Sequence, residues 1–328
     1  MPDLRGSGAE SGGPADGILY IATMTDSARS ARLVGFAALL TTVAIWGAWI
    51  VLTRRAVTHS LPPSAIALLR MIAPTILLAP AIWRAGIFAR GKIIPLIFCI
   101  IGAGTPFVLL TATGMQHATS ADFAALVPGT MPLFVALISA LFFKERLGWL
   151  RTLGFACCSA GVFAIAGRSL AAADASTSFG HLLLLLASLN YAGYALGFRA
   201  SGLTPIEATG IVAFWSLLMI LPFGTMPVIE ALQAGHVHEI VFQAVLQGVL
   251  SGIIALVAFN TGIERLGASK GAAFVALVPV VATLLAIPIL GEWPDLAAIV
   301  GVATTSLGVL LASGILTTAE TGGQKPAG

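Results

Sequence analysis

A chain of 328 residues with 58% hydrophobic and 9% charged residues carries more apolar surface than a water-soluble fold can hide, since soluble domains carry about 25% charged residues. At about 20 apolar residues per crossing of a hydrocarbon core about 30 Å thick, the length caps the spanning helices at about ten to twelve. The net charge of +3 gives no case for a nucleic-acid partner, because basic residues in a membrane protein chiefly set its orientation.

Residues 1–32 are rich in Gly, Ser and acidic residues and lack the apolar core of a cleavable signal peptide. They read as a disordered tail, and Met24 offers a second plausible start. Long uncharged apolar runs then place spans near residues 33–53, 64–83, 93–114, 120–143 and 149–167. A second set follows near 180–198, 206–226, 241–262, 270–290 and 295–314, ahead of a short tail at 315–328. Charged and proline-rich punctuation separates them: Arg54-Arg55 with Pro62-Pro63, Arg84 to Lys92, Lys144-Glu145-Arg146, Arg168 with Asp174, and Glu292 to Asp295. With the N-terminus inside, thirteen of the seventeen Lys and Arg residues fall on the inner side and only Arg54, Arg55 and Arg168 outside, Arg70 lying within a span. That bias predicts both termini in the cytoplasm and residence in the inner (plasma) membrane.

The chain repeats itself. Pro132, Glu145, Gly154 and Gly161 recur as Pro279, Glu292, Gly301 and Gly308, each 147 residues on. At an offset of 145, Trp46-Gly47-Ala48-Trp49 with Arg54 meets Tyr191-Ala192-Gly193-Tyr194 with Arg199. A repeat of five spans inverts its second copy in the membrane, an arrangement common in secondary transporters. The expected fold is therefore an all-α membrane protein of ten transmembrane helices in two inverted five-helix repeats, residues 33–167 and 180–314. Lys144, Arg146 and Arg151 become Gly291, Trp293 and Ala298 in the second copy, whereas the glutamate persists at both places. That persistence suggests a structural or gating task at a helix end, such as accepting from free backbone amides.

The Ala44-Ile45-Trp46-Gly47 start, Arg70 in the second span and the twice-used Pro-x12-Glu with downstream glycines resemble the EamA family of the drug/metabolite transporter superfamily. The resemblance spans roughly residues 33–314. It implies a ten-helix bundle, a central substrate cavity between the repeats and a role in exporting metabolites or drugs. The second copy departs from the first in having no arginine equivalent to Arg70.

Arg70 needs compensation at depth, because a central arginine costs about 2.5–3.5 kcal/mol on insertion scales. It is either an anchor for a substrate carboxylate or phosphate, or a structural partner of a carbonyl or loop. Trp46 and Trp49, and Tyr191 and Tyr194, each share a helical face at i, i+3 and suit an aromatic cavity wall or plain packing. Asn190 is a polar residue of that lumen or an interhelical bond. His117 and Asp122 are candidates for a proton relay, since histidine titrates near neutrality, or belong to a solvated loop. Pro128 and Pro132, and Pro279 and Pro288, remove backbone bonds and suit bent helices that gate.

Cys99, Cys157 and Cys158 lie in apolar runs and read as packing residues. His236-Val237-His238-Glu239 lacks the spacing of a zinc hydrolase. No metal site, cofactor or catalytic signature is expected. The expected partners are a small-molecule substrate and the lipid bilayer. The leading expectation is a secondary carrier moving a small organic solute such as an amino acid outward by alternating access, with proton coupling as an option. A membrane-embedded enzyme acting on lipid-linked substrates is the alternative, and a passive channel a more distant one.

Overall fold

The computed structural model describes residues 14–143 and 148–313. Every regular element among them is helical, the arrangement that satisfies backbone groups inside hydrocarbon without leaving a sheet edge. Helix α1 (Pro14–His59) runs for 46 residues, and its part from Ser30 to His59 is apolar enough to cross a membrane. Residues 14–32, expected to be unstructured, therefore continue the first span as helix. Adding a residue to an existing helix avoids the cost of a new nucleus. Residues 1–13 and 314–328 lie outside the described residues.

Helices α2 (Pro63–Leu77) and α3 (Ala79–Ala85) belong to a pair bent by 72°. Pro74 inside α2 and the proline at the start of α3 withhold backbone donors at the bend. The third span breaks at Gly104 into α4 (Ile93–Ala103) and α5 (Thr105–His117). Ser216, on α10 (Pro205–Gln233), repairs that break: its Oγ accepts from the Thr105 N–H at 3.1 Å, while Thr105 Oγ1 donates to the Ser216 carbonyl at 2.8 Å.

The fourth span is split into α6 (Ser120–Leu126) and α7 (Met131–Phe143), and the ninth into α13 (Ala268–Val275) and α14 (Val278–Leu290). The two breaks fall at equivalent places in the repeat. Pro132 and Pro279 are each the second residue of the restarted helix, where a missing N–H is free of cost, so they begin new helices and do not kink old ones. Pro288 lies inside α14. Between these elements run α8 (Trp149–Ala171) and α9 (Ala175–Ser201). The eighth span is α11 (Val237–Ala244), a π-helical stretch (Val245–Ile254) and α12 (Ala255–Leu266), and α15 (Leu296–Ala312) closes the bundle.

Among the described residues seven helical segments are long and apolar enough to span a membrane, or eight with the bent pair counted as one span. The all-helical membrane fold is met, and among the described residues ten transmembrane helices are not all shown. Ser120–Val135, which runs across the break, and Leu296–Ala312, with 17 helical residues among those described, are apolar but short. Glu145 lies outside the described residues.

Helices α8 and α15, equivalent in the repeat, pack antiparallel. A Cβ on Gly154 would lie 2.6 Å from the Gly308 carbonyl, and one on Gly161 2.8 Å from the Gly301 carbonyl. Cys158 Sγ approaches the carbonyl of Thr305, its own equivalent 147 residues on, at 3.8 Å. Exchanging the two copies returns the same contacts, so this helix pair has local two-fold symmetry. Phe163, Phe223 and Leu284 project outward from the bundle, as side chains facing lipid do.

Candidate functional site

A cavity of about 360 Å³ lies in the middle of the bundle. Its walls come from α1 (Trp46, Trp49), α2 (Arg70, Met71), α9 (Tyr191, Tyr194) and α10 (Thr209, Val212), together with both broken spans and the π-helical stretch. Val127, Pro128 and Met131 flank the first break, Val275 and Val278 the second. Non-helical backbone at membrane depth is tolerated where it lines a cavity, and discontinuous helices of this kind surround substrate sites in many carriers. Across the first break Thr130 Oγ1 donates to the Leu126 carbonyl, and Ser188 Oγ donates at 3.1 Å to the Val127 carbonyl, which also accepts from the Met131 N–H at 3.2 Å.

Arg70 stands in the cavity wall with its guanidinium carbon 5.1 Å from the centre of the Trp49 ring, within the range of a cation–π contact. Its Nη1 donates to Gln247 Oε1 at 3.2 Å, and Trp49 Nε1 donates to the same oxygen at 2.6 Å. Gln247 Nε2 donates to Thr53 Oγ1 at 2.7 Å and to Gln243 Oε1 at 3.2 Å. Gln243 Nε2 in turn donates to the Leu52 carbonyl and to Glu239 Oε1. Both glutamines are fully buried. One acceptor oxygen therefore fixes both the arginine and the indole beneath it. Among the described residues, no carboxylate lies within ion-pair distance of Arg70. A guanidinium keeps its charge inside a protein, so the cavity presents one positive charge with aromatic walls around it.

Beyond Trp49 the cavity ends under a charged rim. Arg54 Nε donates to Glu292 Oε1 at 2.8 Å, and Arg54 Nη1 to the Met115 carbonyl. Glu292 Oε2 accepts from the Ser120 N–H at 2.9 Å, at the first turn of α6. Next to this, Asp122 is buried and closes a capping box with Thr119. Its carboxylate accepts from Arg168 Nη2 at 3.0 and 3.1 Å, and Arg168 also reaches Asp295. At the rim Asp295 N-caps α15 through the Ala298 N–H at 2.8 Å. Partial burial works against its charge, but that amide and Arg168 outweigh it and hold the carboxyl below the ordinary carboxylate range. Trp49 and Phe123, nearest this rim, are buried, whereas Trp46, Tyr194, Thr209 and Phe259 are partly exposed. The cavity is shut at the Arg54–Glu292 end.

Two regions of the chain, residues 33–167 and 178–314, match the model of the EamA-like transporter family. The chain belongs to the EamA-like transporter family. It is a multi-pass membrane protein. Among relatives of this EamA-like protein, the transporter YyaM of Bacillus subtilis (strain 168) is 28% identical over 263 residues, 72% of this chain and 84% of that protein. A probable terminal-alkyne amino-acid exporter of Streptantibioticus cattleyicolor is 28% identical over 264 residues, 76% of this chain and 83% of it. The transporter YoaV of Bacillus subtilis is 29% identical over 184 residues, and that match spans only 61% of YoaV. A solved crystal structure aligns with 88% of this chain and 99% of its own at a TM-score of 0.53 and 22% identity, which shows a shared fold.

In this EamA-like protein Trp46, Trp49, Arg70, Tyr191 and Tyr194 stand around one cavity. Tyr191 and Tyr194 have ring centroids 5.1 Å apart. Asn190 is half-buried and absent from the cavity wall, because one residue before Tyr191 it sits about 100° around the helix. His117 and Asp122 are not brought together: His117 Nδ1 meets Ser176 Oγ at 2.9 Å, and the capping box turns Asp122 toward Arg168 and His181 instead. Pro132 and Pro279 flank the cavity breaks without lining the cavity. Glu292 bridges the rim, and its counterpart Glu145 is outside the described residues. Gln243, Gln247 and His181 were not singled out from the sequence, although Glu239, Gln243 and Gln247 recur every four residues on one helical face, a signal of a polar stripe.

Proposed function

We propose that this protein is a secondary carrier of the inner membrane that exports small organic solutes bearing a carboxylate and an apolar side group, amino acids with apolar side chains among them. The observation that carries the reading is Arg70: a charged guanidinium in the cavity wall, steadied by Gln247 and Trp49 and without a carboxylate of its own. A solute carboxylate supplies that missing counter-charge, and the aromatic walls receive its apolar part. The relative named as a probable terminal-alkyne amino-acid exporter supports this substrate class. The family match and the relatives' names favour a carrier over the membrane-embedded enzyme.

In this reading ten segments cross the membrane, the two shorter apolar helices included, as two inverted five-helix repeats with both termini in the cytoplasm. The symmetric α8–α15 contact and the matched breaks of the fourth and ninth spans support the inversion. The Arg54–Glu292 rim is then the outer gate, closed, and Pro132 and Pro279 start the half-helices that move as access alternates. Glu145 serves the inner side as Glu292 serves the outer.

The test is uptake of radiolabelled L-leucine and L-leucinamide into inside-out vesicles. Wild type takes up leucine well above the amide, which lacks the carboxylate. Arg70→Ala lowers leucine uptake about 10- to 100-fold, the range expected when a charge-assisted hydrogen bond worth about 1.5–3 kcal/mol is lost. Equal uptake of acid and amide by wild type would remove the carboxylate reading.

A further inference from the structure

Three span ends meet at the end of the bundle away from the Arg54–Glu292 rim. The third span runs from Ile93 to His117, and its Met115 carbonyl belongs to the rim, so Ile93 marks the opposite end. There α9 ends at Ser201 and α10 begins at Pro205, with Lys92 Nζ donating to the Ala200 carbonyl at 3.1 Å. Segments 79–92 and 199–207, which form this boundary, hold Arg84, Arg90, Lys92 and Arg199 but a single acid, Glu207. Arg90 Nη2 donates to Glu207 Oε1 at 2.9 Å, and Arg84 acts on the same carboxylate through its field. Glu207 also closes the capping box of α10 with Thr204. Arg84 gives only its Nε to a carbonyl, that of Pro80 in its own helix. A guanidinium has five N–H donors and an ammonium three, so the cluster keeps donors and positive charge to offer.

Orienting the chain in a membrane asks only for positive charge on one side, and two further features go beyond that. The first is apolar exposure beside the cations. Helix α3 leaves the direction of α2 at 72° and carries Trp83, 89% exposed, next to Arg84, while Phe88 is 53% and Ile94 71% exposed. Tryptophan at a span end sits at the headgroup level of a bilayer. The second is the backbone. Ala89, Arg90 and Gly91 have φ of 49°, 55° and 84° in succession, a left-handed run that suits only the glycine. Ala89 is fully buried, and Trp215 Nε1 donates to the Ile87 carbonyl at 2.8 Å, so the packing around the turn holds it in place. The turn brings Arg90 back to Glu207, beside Arg84. Strain of this kind gathers where a ligand is held.

A ligand that fits has an anionic head for the cations and an apolar body for the exposed side chains below them. We propose that Arg84, Arg90 and Lys92 bind the phosphate of an anionic glycerophospholipid of the phosphatidylglycerol class, whose acyl chains lie against Trp83 and α4. Arginine bonds phosphate through paired N–H groups and lysine as a point charge. A zwitterionic lipid brings its own cation to the same phosphate and gains less from the cluster. Ile82 of α3 shares an apolar cluster with Ala208 and Ile211 of α10, and Thr209 between them lines the cavity. A headgroup that ties α3 to α10 therefore steadies the partly exposed side of the cavity. On the topology proposed above the lipid belongs to the inner leaflet; the site itself needs neither that topology nor Arg70.

The test uses the full chain purified in a neutral detergent, without solute. Native mass spectrometry measures binding of dioleoylphosphatidylglycerol and dioleoylphosphatidylcholine, and thermal unfolding gives the midpoint with each. Wild type is expected to retain the anionic lipid and to unfold at a higher temperature with it, and to respond little to the zwitterionic one. The triple variant Arg84→Gln/Arg90→Gln/Lys92→Gln is expected to bind the anionic lipid about 100-fold more weakly, at about fivefold per cation near a lipid surface. Arg84→Gln/Lys92→Gln leaves the Arg90–Glu207 pair in place and is expected to lose about 25-fold; it decides if the triple variant fails to fold. Arg151→Gln/Arg265→Gln/Lys270→Gln removes as many exposed cations elsewhere and is expected to bind as wild type does. Equal binding of the two lipids by wild type, unchanged binding in the double variant, or an equal loss in the Arg151, Arg265 and Lys270 variant overturns the proposal. So does inorganic phosphate that raises the midpoint as far as the lipid, which would make this a site for a free anion. With no solute present, none of these results touches the Arg70 reading.

Discussion

In the first half of the bundle the fourth span breaks at residues 127–130, and in the second half the ninth breaks at residues 276–277, the equivalent depth. The third span breaks at Gly104, and the eighth departs from α-helix at the equivalent place by a π-helical stretch around Ser251 and Gly252. Arg70 has no such counterpart, since α10 carries Trp215, Ser216 and Leu217 in the corresponding region. Gln247 likewise faces Arg70 from one half only. The backbone departures that shape a cavity are thus duplicated, while the polar groups that give it chemistry are not. Duplicated geometry suits a scaffold that swaps two states related by a pseudo-two-fold, and a single charge suits one orientation of one class of solute.

The comparison can be broken hardest at the scaffold. Gly161→Val and Gly308→Val, at equivalent places in the repeat, each drive a Cβ against the partner backbone, at 2.8 Å from the Gly301 carbonyl and 2.5 Å from the Gly154 carbonyl respectively. Both are expected to lower stability by about 1–3 kcal/mol, the usual cost of overpacking, or more where backbone cannot yield. Equal losses in thermal unfolding of the detergent-solubilised protein follow from the local two-fold. Gly167→Val, on the same helix as Gly161 with open space around it, is expected to leave the midpoint unchanged, and unequal losses at 161 and 308 would deny the symmetry.

At the rim, Arg54→Ala strands the Glu292 carboxylate and frees the Met115 carbonyl, a loss of about 1–3 kcal/mol to be read as a lower unfolding midpoint. Glu292→Gln keeps an acceptor for Ser120 and is expected to cost less. In the cavity, Gln247→Leu leaves Arg70 charged but loosely held, so KM for leucine should rise several-fold, about one hydrogen bond's worth, with little change in kcat, the pattern of lost uniform binding. A fall in kcat at constant KM would place Gln247 in the transport cycle and not in positioning.

The smallest effect belongs to Asp295. Its carboxyl is held below the ordinary aspartate value of 3.8, so its contribution to stability is present above that value and lost as pH falls through the depressed folded value. With the side chain 49% exposed, solvent screening keeps the contribution small. Unfolding midpoints of wild type and Asp295→Asn should differ slightly at neutral pH and converge in acid; a gap that widened in acid would reverse the assigned direction.

Much of this architecture was legible in the chain. Apolar runs and the 147-residue offset follow from the bilayer's thickness and from duplication, both of which act on many residues at once. The aromatic pairs were legible because i, i+3 spacing puts Trp46 with Trp49, and Tyr191 with Tyr194, on one face. Gln243 and Gln247 were hidden because two amides hardly lower the hydropathy of the run around them. Their partners on α1 and α2 lie 177–198 residues away, a pairing that no local pattern announces. His117 was read with Asp122 because they are neighbours in sequence, yet a capping box at Thr119 turns Asp122 toward Arg168 and His181, 46 and 59 positions on. Asn190 was read by polarity alone, which does not say which way a helix faces.

The account stands most directly on the carboxylate anchor, and equilibrium binding tests it without transport. Quenching of the cavity tryptophans, Trp46 and Trp49, by L-phenylalanine and by its amide is measured in purified wild type and Arg70→Ala. Wild type is predicted to bind the acid about 10- to 100-fold more tightly than the amide, and Arg70→Ala to bind the two alike. Equal preference for the acid in both proteins would mean that a group other than Arg70 receives the carboxylate, and would contradict the central claim.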